Sequence, residues 1–217
     1  MDWKRSILSA REEEKIENKI LEFETKTATE LVVCVLKAAD PYPGAIYRFA
    51  ILFSLLFATA ITFLFQFDHE FYLILLIGFL IILGTVLGKM PFIKKLALVQ
   101  EEINREVREK SIELFQSLEI NRTKDKIGIL LLLSLQERKI EILVGKKLSE
   151  KISGEDLDNI VKHLSDNFKN NDFGVGFLWA IDNLGEKVTH FFPKLSDTID
   201  DSKNELSNKI VWGDFSK

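Results

Sequence analysis

Two apolar runs separated by a short polar break dominate the hydropathy pattern. Ala45 to Phe67 reads AIYRFAILFSLLFATAITFLFQF, Asp68-His69-Glu70 interrupts, and Phe71 to Gly88 reads FYLILLIGFLIILGTVLG. The first run is 23 residues with the single charge Arg48, and the second is 18 residues with none. At ~1.5 Å per residue they reach roughly 34 and 27 Å, close to the roughly 30 Å of a bilayer core. A hairpin buried in a large soluble core is the alternative, but neither run has the polar stripe of a surface helix. The pattern predicts a transmembrane helical hairpin over 45–88, with spans at 45–67 and 71–88.

Outside the hairpin the periodicities change. Ser9 and Glu12 form a capping-box pattern ahead of Ile16, Ile20 and Phe23 at helical spacing, which predicts a helix ending near Thr25–Thr27. Leu31 to Leu36 is a β-branched run apolar on both faces, as a strand is when helices cover both sides of its sheet. After the hairpin, Leu96, Val99, Ile103, Val107, Leu114 and Leu118 predict one amphipathic helix starting near Leu96. Asn121 to Asp125 reads as a polar loop. Two strands, 127–133 and 139–144, flank the short connection Ser134–Arg138 and predict an antiparallel hairpin with a half-exposed second strand.

A third helix follows Ser153, with Leu157, Ile160, Val161, Leu164 and Phe168 on one stripe. Asn171 to Gly174 reads as a turn and cap, and a fourth helix carries Phe177, Ile181, Leu184 and Val188. Ile210-Val211-Trp212 closes the chain as a short strand or a docking segment. The strand at 31–36 precedes the hairpin, and its strong candidate partners follow it. A lone strand is unstable in water, so 31–36 must pair with 127–133, in parallel through a right-handed crossover. The pattern therefore predicts one α/β domain, residues 1–40 and 91–217, split by the hairpin.

Charge gives the hairpin a direction. Arg48, Lys89, Lys94 and Lys95 flank one end, while the opposite turn holds Asp68, His69 and Glu70. Basic flanks stay in the cytoplasm, so the expectation is a bacterial cytoplasmic-membrane protein with the domain and both termini inside. The lysines also suit acidic headgroups, and Arg48 is expected to snorkel to them. No cleavable signal peptide is expected in MDWKRSILSAREEE. A net charge of −4 and the lack of a basic stripe interleaved with aromatics argue against a nucleic-acid partner. Cys34, the one cysteine, reads as a buried structural thiol.

Candidate chemistry is sparse. Ligands favour the carboxyl ends of parallel strands, and that edge gathers Asp40, Ser134, Glu137 and Arg138. Asp40 and Glu137 together would offer oxygens to a hard cation, and Arg138 with Ser134 would hold a phosphate. The competing reading makes Glu137 and Arg138 ordinary turn residues, solvated or paired with each other. His69, His163 and His190 are scattered and suggest neither a zinc site nor a triad. No phosphate-binding glycine loop is present.

The elements in this order resemble the TPM domain family, named for a thylakoid lumen protein, a photosystem II repair protein and a nematode modulator of acetylcholine receptors. The resemblance is carried by Glu24-Thr25-Lys26-Thr27-Ala28-Thr29-Glu30-Leu31-Val32-Val33, by Glu113-Leu114-Phe115 and Thr123, and by Gly128 to Leu135. Glu137 to Ile142, Phe173 to Phe177, Ala180-Ile181 and Phe192-Pro193 extend it, and Asn204-Glu205-Leu206-Ser207-Asn208 is similar to the ending of a bacterial membrane-bound branch. It implies a three-layer α/β/α sandwich, here with the hairpin inserted after the first strand. It also implies divalent-cation binding (Ca2+ or Mg2+), acid phosphatase activity as in some plant members, or an accessory role in a membrane complex. Membrane segments in that family are usually terminal, so an inserted hairpin is a departure.

Overall fold

The computed structural model describes residues 3–65, 70–120, 127–194 and 206–215. In chain order the elements are α1 (Ala10–Lys26), β1 (Glu30–Leu36), α2 (Pro43–Leu64), α3 (Glu70–Gly88), α4 (Pro91–Ala97), α5 (Gln100–Ser117), β2 (Gly128–Ser134), β3 (Lys139–Val144), α6 (Lys146–Ser149), α7 (Gly154–Lys169), α8 (Phe173–Phe191) and β4 (Val211–Gly213). They form two compact units, residues 1–40 with 105–217, and residues 41–104. The expected turn residues Asp68 and His69, the loop 121–125, and Asn204 and Glu205 lie outside the described residues.

The discontinuous unit is built on its sheet. The Ser9 hydroxyl accepts from the Glu12 amide at 3.3 Å and Glu12 accepts from the Ser9 amide at 2.9 Å, so α1 starts at the expected capping box. β1 and β2 pair in parallel from Glu30 opposite Gly128 to Leu36 opposite Ser134. β2 and β3 pair antiparallel, and β4 joins β1 in parallel through Cys34 opposite Val211 and Leu36 opposite Gly213. Among the described residues the strand order is β3-β2-β1-β4, which puts the alternating strand β3 at an edge.

Both faces of the central strands are covered. Leu31, Val33, Val35, Ile129, Leu131 and Leu133 meet Ile16 and Ile20 of α1, Ile160 and Leu164 of α7, and Phe177 and Leu184 of α8. Val32, Cys34, Leu130 and Leu132 on the other face are equally buried. There α5 buries Val107, Ser111 and Leu114, and its Arg108 pairs with Glu141 of β3. The result is the expected α/β/α layering.

One predicted helix is two. α4 stops at Ala97, Leu98 is extended, and α5 begins at Gln100. In a continuous helix the Ala97 carbonyl would accept from the amide four residues on. Instead it takes the Arg48 guanidinium at 3.4 Å. Leu96 and Val99, expected on a buried stripe, are exposed in consequence.

In the unit 41–104, α2 and α3 run antiparallel. A Cβ on Gly84 would lie 2.9 Å from the Ala50 Cα, and one on Gly88 would lie 3.1 Å from the Ile46 side chain. Small residues dominate the buried positions of α2, namely Ala45, Ala50, Ser54 and Ala58, and Ala50 meets Gly84 of α3. α2 and residues 71–88 of α3 are each long and apolar enough to cross a membrane, with mean hydropathies of 1.9 and 2.6.

Candidate functional site

The sheet supplies two polar edges, one at each end of β1. At the carboxyl edge, the turn from β2 to β3 is tied to the end of β1. The Leu135 amide donates to the Leu36 carbonyl at 2.9 Å, and the Gln136 amide to the Lys37 carbonyl at 3.0 Å. Arg138 closes the turn with φ of 53°, a left-handed conformation unusual for a non-glycine residue. This geometry swings the Glu137 carboxylate back over the strand ends. One of its oxygens accepts from the Ala39 amide at 3.3 Å, and the other accepts from the Ser134 hydroxyl.

The expected site residues are thus partly assembled. Ser134, fully buried, and Glu137 are in contact, Asp40 follows Ala39 directly, and Arg138 shares the turn with its side chain exposed. Beside them Lys37 pairs with Asp214 at 3.1 Å. A hard cation wants six or more oxygens. This edge offers the carboxylates of Asp40, Glu137 and Asp214; both oxygens of Glu137 already accept protein hydrogen bonds, and Asp214 is paired with Lys37. Among the described residues, no group of three or more His, Cys, Asp or Glu side chains is placed to hold a metal ion. The chemistry shown at the edge is that of a turn clamp.

The amino edge holds a group that the sequence reading missed. Glu24, in the last turn of α1, is 5% exposed. One carboxyl oxygen accepts from the Leu31 amide at 3.2 Å, and the other is buried close to the Glu30 and Asn208 side chains. Burial, and then the neighbouring Glu30 charge, push this carboxyl up to about 8. The tail of α8 straps the same edge: the Lys194 ammonium donates to the Glu24 carbonyl at 3.1 Å, and the Ala28 amide to the Phe192 carbonyl at 3.0 Å. A signal existed, because Glu24 stands eight residues after Ile16 and four after Ile20, on the buried stripe of α1.

The remaining candidates are inert. Burial pushes the Cys34 thiol up to about 12, which leaves no thiolate near neutral pH. His163 stacks on Trp179 at 3.7 Å between centroids. A groove of about 490 Å³ between α1 and α8 is lined by Lys19, Lys26, Glu22 and Asp182, among others. Its charges largely neutralise one another: Lys19 pairs with Asp182 at 2.6 Å, and Lys26 with Glu22 at 2.5 Å.

Residues 96–187 match the family model described as the TPM domain. Among solved structures, the chain is similar to the NMR structure of BA42 protein from the psychrophilic bacterium Bizionia argentinensis sp. nov.. The TM-score is 0.58 at 18% identity, with 95% of each chain covered, a likeness of fold. No curated protein matches it.

Proposed function

We propose that this chain, whose residues 96–187 match the TPM domain model, is a membrane-anchored binding module of that family. Its α/β domain holds a cytoplasmic partner at the bilayer of a bacterial cell. The observation that carries this reading is the inverted packing of α2 and α3, with small residues inside and Leu56, Phe63 and Leu64 outside. Such a surface suits lipid and is costly in water. The basic residues at Arg48, Lys89, Lys94 and Lys95 favour a cytoplasmic location for that end and for the domain.

A binding role is preferred to catalysis because Glu137, the best placed acid, is occupied with Ser134 and the Ala39 amide. Among the described residues the hydroxyl in contact with it, that of Ser134, is fully buried. In the competing reading, a divalent-metal-dependent phosphatase, Asp40 and Glu137 would hold Ca2+ or Mg2+, and Arg138 with Ser134 would hold the phosphate. Phosphoester hydrolysis by the detergent-solubilised full chain, with and without each cation, separates the two. The binding module predicts no turnover and no change with Asp40→Ala plus Glu137→Ala. Cation-dependent turnover that this double substitution abolishes would replace it with the enzyme. Resistance to carbonate extraction tests the anchor independently.

A further inference from the structure

α4 is a puzzle if its surroundings are water. Phe92 and Leu96, four residues apart on this short helix, are 81% and 77% exposed, and Met90 just before it is half exposed. Yet α4 does not project away from the hairpin end. Its last carbonyl, at Ala97, accepts from Arg48, and the Lys94 ammonium lies 5.4 Å from the centre of the Tyr42 ring. Tyr42 precedes the first residue of α2, and Arg48 is five residues beyond that first residue, roughly 8 Å along the axis. α4 is therefore held level with the first turns of α2, with Lys89 and Met90 alone between it and the end of α3 at Gly88.

Along the stretch from Gly88 to Leu98 the charges are of one sign. Lys89, Lys94 and Lys95 fall between Gly88 and Leu98, with no acid among them. Arg48, expected to reach for headgroups, is instead paired with Glu102 at the start of α5. This frees the short helix, not the span, to meet the lipid surface. We infer that α4 is an interfacial helix that binds anionic phospholipid headgroups, with Phe92 and Leu96 in the acyl boundary and Lys89 and Lys95 on the phosphates. Aromatic and aliphatic side chains beside lysines are the composition such helices use, and each lysine near an acidic surface strengthens binding severalfold. The inference rests on the membrane-anchor reading and adds a lipid preference to it.

Spin labelling of the full chain in liposomes tests it, since Cys34 is fully buried and leaves an introduced thiol as the labelling site. Nitroxides at Phe92→Cys and Leu96→Cys are expected to collide with oxygen in preference to a water-soluble nickel chelate. One at Gln100→Cys should show the reverse. Replacing part of the phosphatidylcholine with phosphatidylglycerol should deepen the first two labels. Native mass spectrometry should show phosphatidylglycerol retained by the native chain, about tenfold or more weakly by Lys89→Gln plus Lys95→Gln. Labels at 92 and 96 that are open to nickel in both lipids, while Leu56→Cys stays in the oxygen-rich core, would overturn the headgroup site and leave the anchor intact. Protection from both reagents would assign the patch to a protein contact and also overturn it. Nickel access at Leu56→Cys would overturn the anchor and this site together.

Discussion

The two units of this chain use the same apolar residues in opposite ways. In the discontinuous unit, leucines and isoleucines of β1 and β2 are sealed between helices, and the outer faces of those helices are mostly polar. In the unit 41–104 most large side chains of the two long helices face out, Phe63 at 90% exposed, while alanines, a serine, two glycines and Leu80 lie inside. Water drives large apolar side chains inward. Lipid supplies no such drive, so helices there associate where small residues let backbones approach. Side-chain size at the contact therefore distinguishes the units better than hydropathy does.

The sharpest way to break this contrast is one substitution made in each unit. Leu131→Ala, in the sheet, is expected to cost about 2–5 kcal/mol. Tryptophan fluorescence during denaturation reads it selectively, because Trp3, Trp179 and Trp212 all lie in the discontinuous unit. Next comes pH. Glu24 has an ordinary value of 4.5 and is raised to about 8 when folded, so the folded chain keeps a proton that the unfolded chain has released. Its contribution is full below 4.5, shrinks as pH rises, and is gone above about 8. Melting temperature should fall between pH 6 and 9, and Glu24→Gln should flatten that slope by on the order of 3 kcal/mol. An unchanged slope would mean that Glu24 ionises freely beside Glu30 and Lys194.

Gly84→Leu forces a side chain against the Ala50 backbone and should cost about 1–3 kcal/mol of hairpin closure. Disulfide cross-linking between Ser54→Cys and Leu80→Cys, both buried positions, should drop accordingly. The smallest effect belongs to Leu56→Ala. It is the same chemical change as in the sheet, yet should cost only about 0.5 kcal/mol on the outward face. Carbonate-resistant protein should persist at native levels. A loss comparable to that of Leu131→Ala would show that the outward face packs on protein.

Much of the architecture was legible because periodicity and capping are local. The capping box at Ser9, the alternation of β3 and the helical stripe of α7 each lie within one turn, one strand or one helix. The pairing of β1 with β2 was legible from order, since no strand precedes β1 among the described residues. The broken helix at Leu98 was not. It depends on Arg48, some fifty residues earlier, taking the Ala97 carbonyl. The carboxyl-edge residues were placed together by topology, but which atoms Glu137 engages follows from the left-handed turn at Arg138.

Composition along the chain by itself settled which segments are apolar on one face, on two, or all round, and hence the layered domain and the hairpin. Tertiary structure alone decided that Glu24 is buried, that Arg48 answers Glu102, and that α4 lies beside the first turns of α2. The division has a physical cause. Burial patterns repeat every two or 3.6 residues and can be read from neighbours, whereas a carboxyl's proton affinity or a guanidinium's partner depends on groups that only folding brings near.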